Sequence, residues 1–390
     1  MADMPPDSNY VLRAWQQDAE GGQTYRLRVQ FPRGDHPGRE MVALVEWGTA
    51  ADGAAPKPET FIAHKRVYLQ RGEGGWSGTC TAPVGTRQMR LLVYRWPWVG
   101  SAAAGHNENW TFTCQRVPTP PPRITRAAVA YQQTTPASPA TMEARRAVMI
   151  ATIHQAGARN VGLLVLSENF LDRHVALPVQ ASARALDDPW MEPIYDAVRE
   201  AQLYAVFAFN EKRSAHRHTT AVLVTPQGRV LETYRKRHLT QAELESGVTP
   251  GDNWMVSDTP LGRIGMLICW DGWFPGSAAA LARRGAEIIC FPLAGDGEKK
   301  HWDYIWRARA LDHQVYWLAS VTGDCGGEAP SRIIAPTGEV LAETREPNGL
   351  ACADLRLPVV DESYWLSVGP FWSEIRNVYQ HEEIESTHCL

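Results

Sequence analysis

A chain of 390 residues exceeds the roughly 250–300 at which a single core stops growing, so two domains are expected. Its 44% apolar and 21% charged residues, formal charge of −4 and lack of a Lys/Arg cluster describe an ordinary globular protein and exclude a nucleic-acid footprint. No run reaches the roughly 18 apolar residues of a membrane helix, so no membrane partner is expected. The opening MADMPPDSN lacks the basic and apolar segments of a secretory signal, and seven cysteines is an odd number in a chain too long to need stapling. A reducing cytoplasm is the expected compartment.

Residues 1–117 read as β-structure. Short alternating runs recur: YRLRVQF (25–31), MVALVEW (41–47), RVYLQ (66–70), MRLLVYRW (89–96) and NWTFTCQ (109–115). In the first, Tyr25, Leu27, Val29 and Phe31 share one face while Arg26, Arg28 and Gln30 share the other, the period-2 pattern of a half-buried strand. Gly/Pro/Asp clusters separate the runs, which predicts a small sandwich-like all-β domain. GEGGWSG is glycine-rich, but it lies between strands with no helix after it, so it is not a phosphate loop. Six tryptophans fall here (Trp15, Trp47, Trp76, Trp96, Trp98 and Trp110); exposed, they would favour a binding role. Cys80 and Cys114 read as two buried thiols rather than a pair.

Four prolines in VPTPPPR make residues 118–123 a stiff connector. From residue 124 to 390 strands alternate with helices. AAVAY (127–131), VGLLVL (161–166) and LYAVFAF (203–209) are apolar throughout, as strands covered on both faces are. Helices are predicted over 141–158, with Met142, Met149, Ile153 and Ala156 inward, and over 189–202, with Met191, Ile194, Tyr195 and Val198 inward. Two more are expected near 276–284 and 299–312. TAVLVT and RVLETY flank the turn PQG, and APTGEV marks a second hairpin. The order mixes βαβ units with hairpins and predicts a layered, mixed-sheet α/β domain.

Three residues stand out. Glu168 follows the buried run VGLLVL, Lys236 ends the strand through TYRKRHL, and Cys269 follows RIGMLI in LICWDGWFP. Each has a plain reading: a loop or helix-cap charge, a surface base, and a core thiol. Together they are a base, a cation and a nucleophile at the carboxyl ends of strands, where α/β proteins place ligands. His216 and His218 lie two apart in the polar stretch SAHRHTT, lack a third ligand, and are expected on an exposed loop; no metal or other cofactor is expected.

LLVLSE, YRKRHL and IGMLICWDGWFP, spaced by 68 and 33 residues at Glu168, Lys236 and Cys269, resemble the three signatures of the nitrilase superfamily, the carbon–nitrogen hydrolases. The resemblance covers roughly residues 124–380 and is nearest to the amidase and N-carbamoyl-amine amidohydrolase branches. It implies an αββα sandwich assembled as a homodimer or larger homo-oligomer. It also implies a thioester mechanism with Glu168 as general base, Lys236 as oxyanion cation and Cys269 as nucleophile. A second glutamate before P-G is common in the family; Glu243 and Glu245 both qualify, and E-S before P-G favours Glu245. Trp270, Trp273 and Phe274 are candidate substrate-binding residues. The expected substrate is a small amide or carbamoyl amine; a nitrile is the alternative. A catalytically silent protein whose N-terminal domain carries the function is a further one. The sequence departs from the family at Ser167, where Pro is usual, at Gly276, where Glu is usual, and at IRNVY, which keeps only Arg376 of the C-terminal pattern.

Overall fold

The structure, a computed structural model, describes residues 2–4, 11–30, 41–48, 67–72, 75–82, 85–95, 110–119, 123–134, 140–175, 177–295, 301–323 and 329–357. Phe31, Trp96, Trp98, Arg376 and the expected hydrolase segment beyond 357 lie outside them. The chain divides between Pro121 and Pro122 into two compact units.

In the first unit, Ala2–Met4 (β1), Val11–Asp18 (β2), Met41–Gly48 (β4), Val67–Tyr68 (β5) and Gln88–Arg95 (β8) form one antiparallel sheet in the order β1-β2-β8-β4-β5. Thr24–Gln30 (β3), Gln70–Gly72 (β6), Gly75–Thr81 (β7) and Thr111–Val117 (β9) form another, β6-β7-β3-β9. Their inner faces share one core. Leu27, Val29 and Trp76 from the second sheet meet Val45, Trp47 and Leu91 from the first. The alternation in β3 is realised: Tyr25, Leu27 and Val29 are buried while Arg26, Arg28 and Gln30 are exposed. Trp15, Trp47 and Trp76 are buried and Trp110 packs partly buried against them, so these four rings build the core rather than a binding surface. Cys80 and Cys114 are free thiols; burial pushes Cys80 up to about 12, with Cys114 adding to the shift.

In the second unit, the strands form two halves. Arg123–Gln133 (β10), Leu163–Glu168 (β11), Tyr204–Arg213 (β12), His216–Val224 (β13) and Val230–Arg235 (β14) run in the order β14-β13-β12-β11-β10, and Gly349–Leu357 (β21) pairs with β10. Val256–Thr259 (β15), Gly262–Met266 (β16), Ile288–Ala294 (β17), Tyr316–Gly323 (β18), Ser331–Ile334 (β19) and Val340–Thr344 (β20) form the other half, joined to the first where Gln132 and Gln133 pair with Thr322 and Gly323. Helices Met142–Ala158 (α1) and Glu192–Ala201 (α3) cover the first half; a short helix, Val179–Ser182 (α2), lies between them in sequence. Pro275–Arg283 (α5) and His301–His313 (α6) cover the second; Gln241–Glu245 (α4) is a single turn. The result is the expected αββα sandwich. β11 is buried along its whole length because sheet lies on one face and α1 and α3 on the other.

His216 and His218 lie on β13 rather than on a loop, and His218 is buried with Nδ1 2.8 Å from the Thr249 carbonyl. His216 is exposed, as its polar neighbours suggested; His218 is buried where β13 pairs with β12. Leu164→Ala, in the core on the strand that ends at Glu168, should destabilise the protein by about 2–5 kcal/mol in urea unfolding, the range for a truncated core leucine.

Candidate active site

Strands β10, β11 and β12 run parallel, as do β16, β17 and β18, and β14 shares the direction of β12 across the antiparallel β13. Their carboxyl ends therefore open on one edge, and Glu168, Lys236 and Cys269 all stand there. A register shift between Val165 and Glu168 breaks the β11–β12 ladder at the end of the strand, as bulges do where a side chain is re-aimed. Lys236 follows the last residue of β14. Cys269 comes three residues after β16 and opens a single 3-10 turn, Cys269–Trp273.

Lys236 is the centre. Its side chain is only 2% exposed, and Nζ donates to Glu168 Oε1 and to Glu243 Oε1, each at 2.9 Å. Burial disfavours its charge, but Glu168, Cys269 and Glu243 outweigh burial and hold the ammonium protonated well above its usual range. Glu168 Oε2 accepts the Ala294 N–H at 2.8 Å, at the end of β17. Burial raises the Glu168 carboxyl above the ordinary range, Lys236 and the hydrogen-bonding thiol of Cys269 offset this in part, and Glu243 adds to it. Cys269 is half-buried as a residue. Burial and the negative Glu168 raise its pKa, and Lys236 opposes them. The Cys269 thiol thus hydrogen-bonds a Glu168 carboxyl whose pKa is itself raised. Cys290, fully buried on β17 with only desolvation acting on it, is the contrasting inert thiol.

The second glutamate at Lys236 is Glu243, not Glu245. Thr240 caps α4, its hydroxyl accepting the Glu243 N–H, and Glu243 Oε2 takes the Thr240 N–H in return at 2.8 Å. That reciprocal cap fixes Glu243 at the third helical position and leaves Oε1 for Lys236. Burial opposes its charge, but Lys236 and the Thr240 bonds hold its carboxyl below the usual range. Glu245, two residues on, points away, is exposed, and takes Gln241 Nε2 at 2.7 Å. The capping pattern T-x-x-E in TQAE was the sequence signal that distinguishes the two.

The YRKRHL segment divides its work by alternation. Tyr234 and His238 both bond to Asp271, the second residue after Cys269, while Arg235 forms a two-pronged pair with the buried Glu211. Asp271 is a residue that strand-end reasoning passed over. Trp270 and Phe274 are each 37% exposed, and Trp273 is half-buried with its carbonyl accepting Arg309 Nη2. The rings continue outward: Trp270 contacts Trp273 and Phe274, and Phe274 stacks on His238 at 4.1 Å.

Two departures from the family pattern have local explanations. The Ser167 N–H and hydroxyl both donate to Gln132 Oε1, a buried pairing that proline would lack on the N–H side. Gly276 is exposed, and a Cβ there would meet nothing within 4 Å, so no packing demand excludes a larger residue. Gly272 differs: a Cβ would lie 2.5 Å from the Phe291 ring, so only glycine lets the turn rest on β17. Among the described residues no three His, Cys, Asp or Glu side chains converge as metal ligands.

Residues 126–363 match the family described as Carbon-nitrogen hydrolase. The chain belongs to the carbon–nitrogen hydrolase family. Omega-amidase NIT2 of Homo sapiens is 26% identical over 227 residues, which cover 54% of this chain and 82% of that protein. A probable hydrolase, nit2, of Schizosaccharomyces pombe is 36% identical over 153 residues, 34% of this chain and 55% of that one. Deaminated glutathione amidase of Homo sapiens is 36% identical over 154 residues, 35% and 46%. The last two matches thus span about half of each relative. A cysteine-to-serine mutant of the Nesterenkonia AN1 amidase, from the nitrilase superfamily, superposes with a TM-score of 0.56 at 21% identity over 66% of this chain and 96% of that one. A second form of that amidase, with acrylamide added at its active-site cysteine, gives 0.52 over 59% and 93%, also at 21% identity. These structures establish the fold of this carbon–nitrogen hydrolase. Its N-terminal β-unit lies outside the family match.

Glu243→Gln removes one of the two counter-charges of a buried ammonium. It should destabilise the protein by about 2–3 kcal/mol, below a fully broken buried pair because Glu168 remains. Glu245→Gln should stay within about 0.5 kcal/mol, as surface changes do. Urea unfolding of both variants checks the assignment, and equal losses would refute it.

Proposed function

We propose that this carbon–nitrogen hydrolase cleaves the C–N bond of a small amide or N-carbamoyl amine through a thioester on Cys269. The observation that carries the reading is the buried Lys236 held between two glutamates, one of which also bonds the Cys269 thiol. The Cys269 proton passes to Glu168 as sulfur attacks the carbonyl carbon. The oxygen takes up the electron pair and is stabilised by the Lys236 ammonium, a fixed charge that needs no reorganisation, with the Trp270 N–H as a second donor. The C–N bond then breaks, and the Glu168 proton leaves with ammonia or the amine. Water, deprotonated by the same Glu168, attacks the thioester; the acid departs and the thiol is restored. Glu243 stays ionised throughout, balancing Lys236 and fixing its direction. Trp270, Trp273 and Phe274 line the apolar side of the substrate, since they begin at the nucleophile and two of them are open. The amide-hydrolysing names of the human relatives support the same substrate class.

A panel of small amides, N-carbamoyl amines and nitriles, followed by ammonia release, should give turnover on at least one of the first two classes. Cys269→Ala should abolish it. Undiminished turnover by that variant refutes the mechanism, and turnover of nitriles alone refutes the substrate class.

The pH profile follows from Glu168. The base must be ionised, and its pKa lies above the ordinary glutamate value of about 4.3. As pH falls through that raised value the proton returns to Glu168 and kcat/KM drops. The acid limb should therefore lie above pH of about 4.3. Lys236 remains charged beyond its ordinary range, so it should contribute no alkaline loss below pH of about 10. An acid limb at or below the ordinary glutamate value would exclude Glu168 as the base.

A further inference from the structure

We propose that Asp271 is a positioning residue: its buried carboxylate ties the turn carrying Cys269 to the strand end carrying Lys236, and so sets where the thiol stands against the ammonium. The inference rests on Cys269 and Lys236 acting as nucleophile and oxyanion cation.

Asp271 is completely buried, and both of its oxygens are occupied. Oδ2 accepts the Tyr234 hydroxyl at 2.8 Å and the Ile268 N–H at 3.1 Å. Oδ1 accepts the His238 backbone N–H and the His238 Nδ1–H, each at 2.9 Å. A carboxylate so engaged has no free lone pair aimed at a reacting proton, which separates it from the base Glu168. Its bonds fall into two sets.

The first set closes the nucleophile turn. The Ile268 N–H reaches the Asp271 side chain, and the Asp271 N–H returns to the Ile268 carbonyl at 3.0 Å. Only Cys269 and Trp270 lie between. Within that loop Cys269 has φ of 44°, the left-handed region that L-residues resist. A conformation of this kind persists where surrounding bonds over-determine it. The far end of the turn is held separately, by Gly272 against Phe291 and by Arg309 on the Trp273 carbonyl. Asp271 therefore acts on the Cys269 end.

The second set grips the cation's strand. Tyr234 lies two residues before Lys236 on β14, and His238 two residues after it, where the chain bends away from the strand. The outer two bond Asp271, and the middle one bonds Glu168 and Glu243. One carboxylate thus spans two segments that approach each other only in the folded chain. Nothing in the proton transfers uses Asp271, yet the placement of the Cys269 turn against the Lys236 segment runs through it.

The test uses full-length Asp271→Asn and Tyr234→Phe, with Cys269→Ala as the control. Asn presents an NH2 group to donors that require an acceptor; Phe deletes one hydroxyl and keeps the ring. Two readouts are followed: kcat and KM on an amide, and the rate of Cys269 alkylation by iodoacetamide, read on its peptide by mass spectrometry. For Asp271→Asn, kcat should fall about 100-fold with KM within about 3-fold, as expected when a reacting group is misplaced by an ångström, and Cys269 alkylation should slow about 10-fold. Tyr234→Phe should keep its melting temperature and lose about 10-fold in kcat. Alkylation of Cys114 should be unchanged in both. The proposal is overturned if folded Asp271→Asn matches wild type in kcat and Cys269 alkylation, or if its loss is in KM alone. Should Asp271→Asn fail to fold, wild-type kcat and alkylation in Tyr234→Phe overturn it. Full activity in Cys269→Ala would instead refute the underlying mechanism, and the alkylation rates would still report on the clamp.

Discussion

The site depends on one buried ammonium. Lys236 is removed from water and could not remain charged there alone, because an isolated buried charge shifts its pKa and neutralises. Two carboxylates within 2.9 Å keep it ionised. They are not equivalent. Glu243 is tied by a helix cap and held ionised, while Glu168 is driven upward by deeper burial and by its like-charged neighbour. The same lysine thus faces one carboxyl held below the usual range and one raised above it. Neighbouring titratable groups pushed in opposite directions are the pattern that separates a supporting charge from an acid–base group. The protons of such a cluster belong to the set rather than to single residues.

Around that centre, the scaffold supplies rigidity from several elements. The end of β17 holds Glu168 through the Ala294 N–H, and Thr322 on β18 holds the Glu168 carbonyl at 2.8 Å. The turn after β16 leans on β17 through Gly272 and Phe291. Because both halves of the sandwich open at the same edge, residues far apart in sequence reach one place with short bonds and buried backbones. The exposed rings of Trp270 and Phe274 follow directly on Cys269 beside this charged cluster.

Much of this could be read from the chain before folding. Fully apolar runs marked the two-sided strands, a proline-rich stretch marked the division, and a base, a cation and a thiol after strands pointed to one catalytic edge. The choice between Glu243 and Glu245 went the wrong way because position before P-G was weighed above the T-x-x-E cap, which fixes which side of a short helix each residue takes. No role could be read for Asp271 from the sequence, because its Tyr234 and His238 donors come from a segment more than thirty residues earlier. His218 looked exposed among polar neighbours, yet it pairs with Glu211 of β12 and sits against the Thr249 carbonyl.

By itself the sequence determined a layered α/β class, the β-rich N-terminal region and the strand ends where chemistry would sit, because period, turn residues and strand termini are local properties; the αββα arrangement came from the family resemblance. Only the tertiary structure decided which glutamate faces Lys236, that four N-terminal tryptophans are core, and that Asp271 links the Cys269 turn to the segment carrying Lys236. Those outcomes depend on which side chains share a buried volume, and burial sets both the strength of a charge pair and the direction in which each partner titrates.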